Sequence, residues 1–354
     1  MAEKKSFRDA KKAKQDEFYT QLVDIENELK HYREHFRGKT VLCNCDDPRV
    51  SNFFHYFSYN FEQLGLKKLI TTCYKNQERD LFSQHNSERA IWLEYNGDHN
   101  GNRVPDPEEI GINYLQGDGD FRSAECIELL KQADIVVTNP PFSLFREYLS
   151  QLVKYGKQFI IIGNTNALKY KECFQLFMDD KIRTGYTKFN VGMFFYVPDS
   201  FERFHHIDNG KKIARVSTSC WFTNLPVSKH KEDLVMFKHY TPEDYPKFDN
   251  YNAINVNTYT DIPVDYYDII GVPITFLDKY NPQQFEIIGC SDRGGDNRPE
   301  INAIRLTEKP EDSPKINGKK LYTRIFIRRR RHQTVPYAIN EEAPLPMAAE
   351  TDNN

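Results

Sequence analysis

Short apolar runs alternate with amphipathic stretches through the first two thirds of the chain. The runs lie at 40–45, 68–74, 112–115, 134–138 and 159–163. Between them, residues 50–64, 123–131 and 144–155 carry apolar side chains at helical spacing. Strands alternating with helices predict an α/β fold, a doubly wound, mostly parallel sheet with helices on both faces. An earlier helix is predicted from Phe18, Leu22, Ile25 and Leu29, spaced by three and four. Two later strand-like stretches, 192–197 and 213–223, read as an antiparallel edge added to the sheet.

After Asn224 the pattern weakens. Turn residues, prolines and Tyr/Asn clusters such as YPKFDNYNAINVN predict a less regular C-terminal lobe over 225–335. Within it, 291–320 is rich in Gly, Pro and charge and reads as a long surface loop. Residues 1–14 form a basic arm, with Lys4, Lys5, Arg8, Lys11, Lys12 and Lys14 against Glu3 and Asp9. The division expected is therefore this arm, a catalytic domain over 15–224, the lobe, and a disordered tail over 336–354 that ends acidic.

Composition narrows the class. Of 354 residues, 48 are Lys or Arg and 51 Asp or Glu, and 39% are hydrophobic, which suits a folded globular protein. No apolar run approaches the ~20 residues of a membrane-spanning helix. The N-terminus lacks the apolar core of a signal peptide. A cytoplasmic chain with no membrane partner is expected. Seven cysteines, with no C-x-x-C pair, suggest neither a disulfide framework nor a metal site. Aromatics at 14% either fill a core or offer flat faces to bases.

The strand at 134–138 runs directly into Asn139-Pro140-Pro141-Phe142 and then into a helix. In open α/β sheets, ligands bind beyond the carboxyl ends of strands. The exocyclic nitrogen of adenine is a poor nucleophile, because its lone pair is delocalised into the ring. The Asn139 side-chain oxygen and the Pro140 carbonyl each suit one of its N–H bonds, which favours a pyramidal nitrogen aimed at an incoming methyl group. Two prolines fix the backbone and supply no competing N–H, and Phe142 suits stacking on the ring. As a bare tetrapeptide the motif also reads as a strand-ending turn; the strand before it and the helix after it favour a site.

Two further strand ends carry polar chemistry. The first ends in Asp46-Asp47-Pro48, where carboxylates suit the amino group or ribose of S-adenosylmethionine, or simply cap a helix. A phosphate would want a Gly-rich turn, and the chain has no G-x-G-x-x-G and no P-loop. The second is Gly117-Asp118-Gly119-Asp120-Phe121, an Asp-Gly turn whose acid and ring suit the amino group and face of a cofactor adenine.

These residues resemble those of the EcoRI-type adenine-specific DNA methyltransferases. The resemblance rests on DEFYTQ from Asp16, VLCNCDDPRVSNFF from Val41, Gly119-Asp120-Phe121-Arg122, VTNPPF from Val137 and GVPITFLDKYNPQQFEIIG from Gly271. It implies a class I S-adenosylmethionine-dependent methyltransferase fold and transfer to adenine N6 in duplex DNA after the base flips out. Asn139, Pro140, Pro141 and Phe142 would be catalytic. Tyr19, Thr20, Asp46, Asp47, Pro48, Asp118, Asp120 and Phe121 would hold the cofactor. Asp46-Asp47-Pro48 stands where many methyltransferases have a Gly-rich turn, and no acid ends the second strand (Thr71-Thr72-Cys73-Tyr74).

DNA needs local positive charge. The N-terminal arm and Arg328, Arg329, Arg330 and Arg331, followed by His332, supply it. An aromatic from Phe194, Phe195 or Tyr196 either helps stack the flipped base or packs in the core. The chain is read as a monomer, and a separately acting restriction endonuclease stays open. Competing readings are methylation of RNA or of a protein glutamine amide, and a DNA-binding protein without catalysis.

Overall fold

The computed structural model describes residues 18–44, 51–73, 90–102, 105–106, 109–189, 191–197, 199, 201–291, 299–307 and 313–331. In chain order the elements are β1 (Tyr19–Thr20), α1 (Leu22–Leu29), α2 (Arg33–Phe36), β2 (Thr40–Asn44), α3 (Asn52–Tyr59), α4 (Phe61–Leu64), β3 (Lys68–Thr72), β4 (Ile91–Tyr95) and β5 (Gly111–Tyr114). There follow α5 (Ala124–Gln132), β6 (Ile135–Thr138), α6 (Phe145–Lys154), β7 (Gln158–Asn164), α7 (Lys171–Met178), β8 (Arg183–Thr184), β9 (Met193–Val197), β10 (His206–Asp208), β11 (Lys211–Val216) and β12 (Ser219–Thr223). The C-terminal part adds β13 (Ile254–Asn255), β14 (Ile270–Pro273), β15 (Phe285–Cys290), α8 (Pro299–Ile304), β16 (Lys315–Ile316), β17 (Lys319–Lys320) and β18 (Arg324–Arg329).

An eight-stranded sheet runs β5-β4-β3-β2-β6-β7-β12-β8. Its centre, β3-β2-β6-β7, is parallel. The strands on either side of that centre are antiparallel, so the sheet is mixed and not mostly parallel. The reason is local: β4 and β5 double back beside β3, and β12 returns beside β7.

Alternate residues of the central strands enter two cores. Val41, Cys43, Leu69, Ile135, Val137, Ile160 and Ile162 pack with α1–α4. Leu42, Ile70, Val136, Phe159 and Ile161 pack with α5, α6 and α7. Burial on both faces is why these strands read as continuous apolar runs. The second core continues into the C-terminal part through Ile254, Ile270, Phe285, Ile287 and Ile325.

The expected antiparallel edge is only partly found. Stretch 213–223 is two strands, and only the second, β12, joins the main sheet. The first, β11, joins β9, β1 and β10 in a separate sheet, β1-β9-β11-β10. The 291–320 stretch contains α8, whose Ile301 and Ile304 are buried against Phe248, Tyr251 and Phe326. In the C-terminal part, β18 lies between β14 and β15, and β13 completes that sheet.

Among the described residues no helix is long and apolar enough to cross a membrane, and no His/Cys/Asp/Glu cluster could hold a metal. The arm over 1–14, the tail over 336–354 and His332 lie outside the described residues.

Candidate active site

From β2 the chain passes to β3 on one side, and it later returns as β6 on the other. The order therefore reverses between β2 and β6, and a crevice opens at the carboxyl ends of such a strand pair. The register Val41↔Ile135, Leu42↔Val136 brings Asn44 opposite Thr138. The Thr138 hydroxyl donates to the Asn44 carbonyl, and the Tyr148 hydroxyl from α6 donates to the Asn44 side-chain oxygen. Both strand ends are thus braced where the motif begins.

Asn139 follows and is buried. Its Nδ2 donates to the Phe18 carbonyl at 2.6 Å. A carbonyl only accepts, so the amide nitrogen must face Phe18 and Oδ1 must face away. Among the described residues none donates to that oxygen. Pro140 is buried, and Phe142 is half-buried. The Phe18 ring stacks on Phe142 at 5.8 Å and 26°, and Phe195 meets Phe142 edge-on at 6.3 Å. Of the three aromatics singled out in β9, Phe195 is therefore the one beside the motif, fully buried. Phe194 and Tyr196 alternate to the other face of the small sheet.

The 117–121 loop lies against the end of β3. Gly119 has φ +79°, and a Cβ there would sit 2.1 Å from the Cys73 carbonyl oxygen, so only glycine fits. The carboxylate of Asp118 accepts from the Asp120 N–H at 3.1 Å. Asp120 accepts from Arg122 through both oxygens, at 2.9 and 2.6 Å. Arg122 also reaches Glu147 on α6 at 2.8 Å. The Arg122 guanidinium holds the Asp120 carboxyl below the usual carboxylate range. Phe121 is buried, edge-on to Tyr148 at 5.0 Å. A groove of about 510 Å³ opens beside Phe121 and Ser143, bounded by Arg122, Arg146, Glu147 and Gln151.

Strand β1 closes the site from the N-terminal side. Thr20 pairs with Phe195, and its carbonyl accepts from Asn52 Nδ2 at 2.7 Å. The Thr20 hydroxyl is buried and has no hydrogen-bond partner among the described residues. Tyr19 is half-buried opposite Tyr196. Asp46, Asp47 and Pro48 lie outside the described residues.

The structure thus brings together Thr20, Asn139, Phe142 and Phe121, sets Tyr19 beside Tyr196 on the other face of the small sheet, and adds Phe18, Asn44 and Tyr148, which the motifs did not flag. Tyr148 left one signal, an aromatic on the apolar stripe of the helix after the N-P-P-F turn. Of the four arginines, Arg328, Arg330 and Arg331 are exposed and Arg329 is half-buried. Arg329 donates to the Val264 carbonyl and lies over the Tyr267 ring at 4.9 Å. Arg330 donates to the Pro282 carbonyl at 2.9 Å. Arg328 and Arg331 are exposed, Arg328 within 3.7 Å of Glu286 and Arg331 over Tyr267.

The order reversal of a mixed α/β sheet thus carries an oriented amide oxygen and a proline-flanked aromatic. The chain belongs to the family described as adenine-specific methyltransferase EcoRI, whose model matches residues 6–330. It is 48% identical to the Type II methyltransferase M.EcoRI of Escherichia coli, over 94% of this chain and 98% of that protein. It is 38% identical to M.MgeORF184P of Mycoplasma genitalium (91% and 98%) and 36% identical to M.MpnI of Mycoplasma pneumoniae (92% and 98%), both also named Type II methyltransferases. Among solved structures there is no significant match.

Proposed function

We propose that the protein methylates adenine N6 at specific sites in duplex DNA, with S-adenosylmethionine as donor and the 139–142 corner as the catalytic element. The observation that carries this reading is the Asn139 amide, whose nitrogen is committed to Phe18 and whose oxygen is left for a substrate N–H.

Asn139 Oδ1 and the Pro140 carbonyl accept the two N6 hydrogens of the extruded base. That draws the lone pair out of the ring and along the direction of transfer. Phe142 stacks on the base, held by Phe18 and Phe195 behind it. Held this way, the amine would be aligned to take the methyl group that the bound donor would supply, and its spare proton would leave to solvent. No strong general base is needed, because the extra proton can leave to solvent after methyl transfer. Asn139, Pro140 and Phe142 touch the base, and Pro141 fixes the turn.

The chain's residues fit the donor. A buried hydroxyl at Thr20 without a partner among the described residues suits a polar ligand, and the 117–121 loop supplies carboxylates and the Phe121 ring beside a groove. Tyr19, Thr20, Asp118, Asp120 and Phe121 would hold it, joined by Asp46, Asp47 and Pro48. Asp120 already spends both oxygens on Arg122, whereas one Asp118 oxygen has no partner among the described residues. Asp118 is thus the better candidate to accept from the donor. When bound, the donor supplies a sulfonium-activated methyl group.

The doubly wound class I arrangement is supported by helices on both faces of the parallel centre. In the same reading, residues 15–224 catalyse and 225–335 contact the target, with Arg328 and Arg331 on phosphates. The protein works as a cytoplasmic monomer, beside a separate restriction endonuclease if one is present. The test is incubation of duplex DNA, RNA and ribosomal protein with labelled S-adenosylmethionine. Label in N6-methyladenine of DNA supports the reading, and label only in RNA or protein overturns it.

A further inference from the structure

The outer edge of the small sheet is not used by the chemistry above. Its last strand, β10, pairs with β11 in the register His206↔Ile213, Ile207↔Lys212, Asp208↔Lys211. The two residues between them, Asn209 and Gly210, have φ +47° and +79°. Positive φ at both positions is the signature of a tight two-residue hairpin turn matched to strand twist. The hairpin is therefore a defined ribbon and not a loose loop.

It reaches the catalytic corner through Lys212, the cross-strand partner of Ile207. Lys212 donates to the carbonyls of Asp199 and Phe201, and its Nζ lies 5.0 Å from the Phe204 ring centre. Phe201 packs edge-on against Phe18 at 5.8 Å. Phe18 is the residue whose carbonyl holds Asn139. In the sheet order β1-β9-β11-β10, the hairpin edge is three strand spacings from β1, roughly 14 Å.

Its surface suits a nucleic acid. All of β10 is exposed. His205 and His206 meet Phe194 edge-on at 5.4 and 6.1 Å, and Lys211 sits 5.3 Å from the Tyr196 ring centre. Ile207, 57% exposed, lies one position from the turn opposite Lys212, on the other face of the ribbon, the one Phe195 shares. A lone exposed isoleucine is ordinary on a protein surface. One on an edge strand with no further strand beside it among the described residues, opposite a lysine tied to the catalytic corner, is not.

A two-stranded ribbon fits the DNA major groove, about 12 Å wide. Apolar wedges such as Ile are the side chains that proteins insert between base steps. Extruding a base leaves a gap and costs stacking and pairing. We propose that the β10–β11 hairpin enters the duplex beside the extruded adenine and that Ile207 occupies the space the base vacates. This rests on the methylation reading above.

The test is single-turnover methylation of two duplexes by the full chain. One carries a mapped target site. The other has the same site with an abasic position opposite the target adenine, which makes extrusion easier. Ile207→Ala lowers the rate on the matched duplex about tenfold or more and on the abasic duplex by less than about threefold, with cofactor affinity unchanged. Ile207→Phe, which keeps an apolar wedge, stays within about threefold of the parent on both. Equal losses on both duplexes, or no loss on either, overturn the wedge. If the parent protein methylates neither duplex, the adenine reading itself fails, and the two failures are distinguishable.

Discussion

The side-chain nitrogen of Asn139 donates to the backbone carbonyl of Phe18 at 2.6 Å, across 121 residues of chain. This bond turns the amide oxygen away from Phe18, the end that meets the base in the proposed reading. Asn139→Asp replaces the donor by a second acceptor facing the Phe18 carbonyl. Leaving that carbonyl without a donor costs about 1–3 kcal/mol, so the methyl-transfer rate should fall about ten- to a hundredfold. Pre-steady-state methylation at saturating cofactor checks this, and a rate equal to the parent's would contradict it.

Thr20 gives a prediction with opposite signs in two measurements. Its buried hydroxyl has no hydrogen-bond partner among the described residues. Thr20→Val removes that unmet polar group, so the melting temperature without ligand should hold or rise. Cofactor affinity should fall about tenfold, the worth of one hydrogen bond. Lower stability with unchanged affinity would place the hydroxyl outside the cofactor site.

The central strands were legible because burial on both faces removes polar alternation, as Val41, Leu42 and Cys43 show. The corner at Asn139 was legible for the same reason, since a buried strand must end in something polar. β4 was missed because Trp92 and Glu94 are half-buried and break its apolar pattern. The break between β11 and β12 was missed because Ser217-Thr218 carries neither Gly nor Pro. The Phe18 bond could not be read, because it depends on a contact between segments far apart in sequence. The pairing of β18 between β14 and β15 was hidden in the same way.

Glu28 ties the N-terminal helix to the sheet edge. Its fully buried carboxylate accepts from Tyr32 Oη, from the Tyr186 and Thr187 N–H groups, and from Thr187 Oγ1, at 2.9, 2.7, 2.7 and 2.6 Å. Glu28→Ala strands these donors and should cost about 3 kcal/mol or more, seen as a loss in denaturant midpoint. A loss under about 0.5 kcal/mol would contradict this account.

The arginines should divide by function. Arg329 is occupied with the Val264 carbonyl, so Arg329→Ala should lower the melting temperature. Arg328→Ala with Arg331→Ala should spare stability and reduce the salt slope of DNA binding by about two. Binding titrations over a range of salt concentrations separate the two, and an altered target preference would mean that Arg328 or Arg331 reads bases.

His230 links the sheet to the C-terminal part: its Nδ1–H donates to the Tyr280 carbonyl at 2.8 Å, and its Nε2 accepts from the Thr184 hydroxyl at 3.2 Å. Burial pushes its imidazole below the usual value of 6.5. The unfolded chain therefore takes up the proton first, so stability is full above pH 6.5 and falls as pH drops toward the folded value. Denaturant unfolding between pH 7.5 and 5 should show this slope, and His230→Gln should flatten it.

The account stands most directly on the product and on Asn139 together. Parent and Asn139→Ala are incubated with labelled S-adenosylmethionine and a target duplex, the DNA is hydrolysed, and the labelled base is identified. The expected result is N6-methyladenine from the parent, at least about a hundredfold less from the variant, and equal cofactor affinity in both. Label on another base, or a variant as active as the parent, would contradict it.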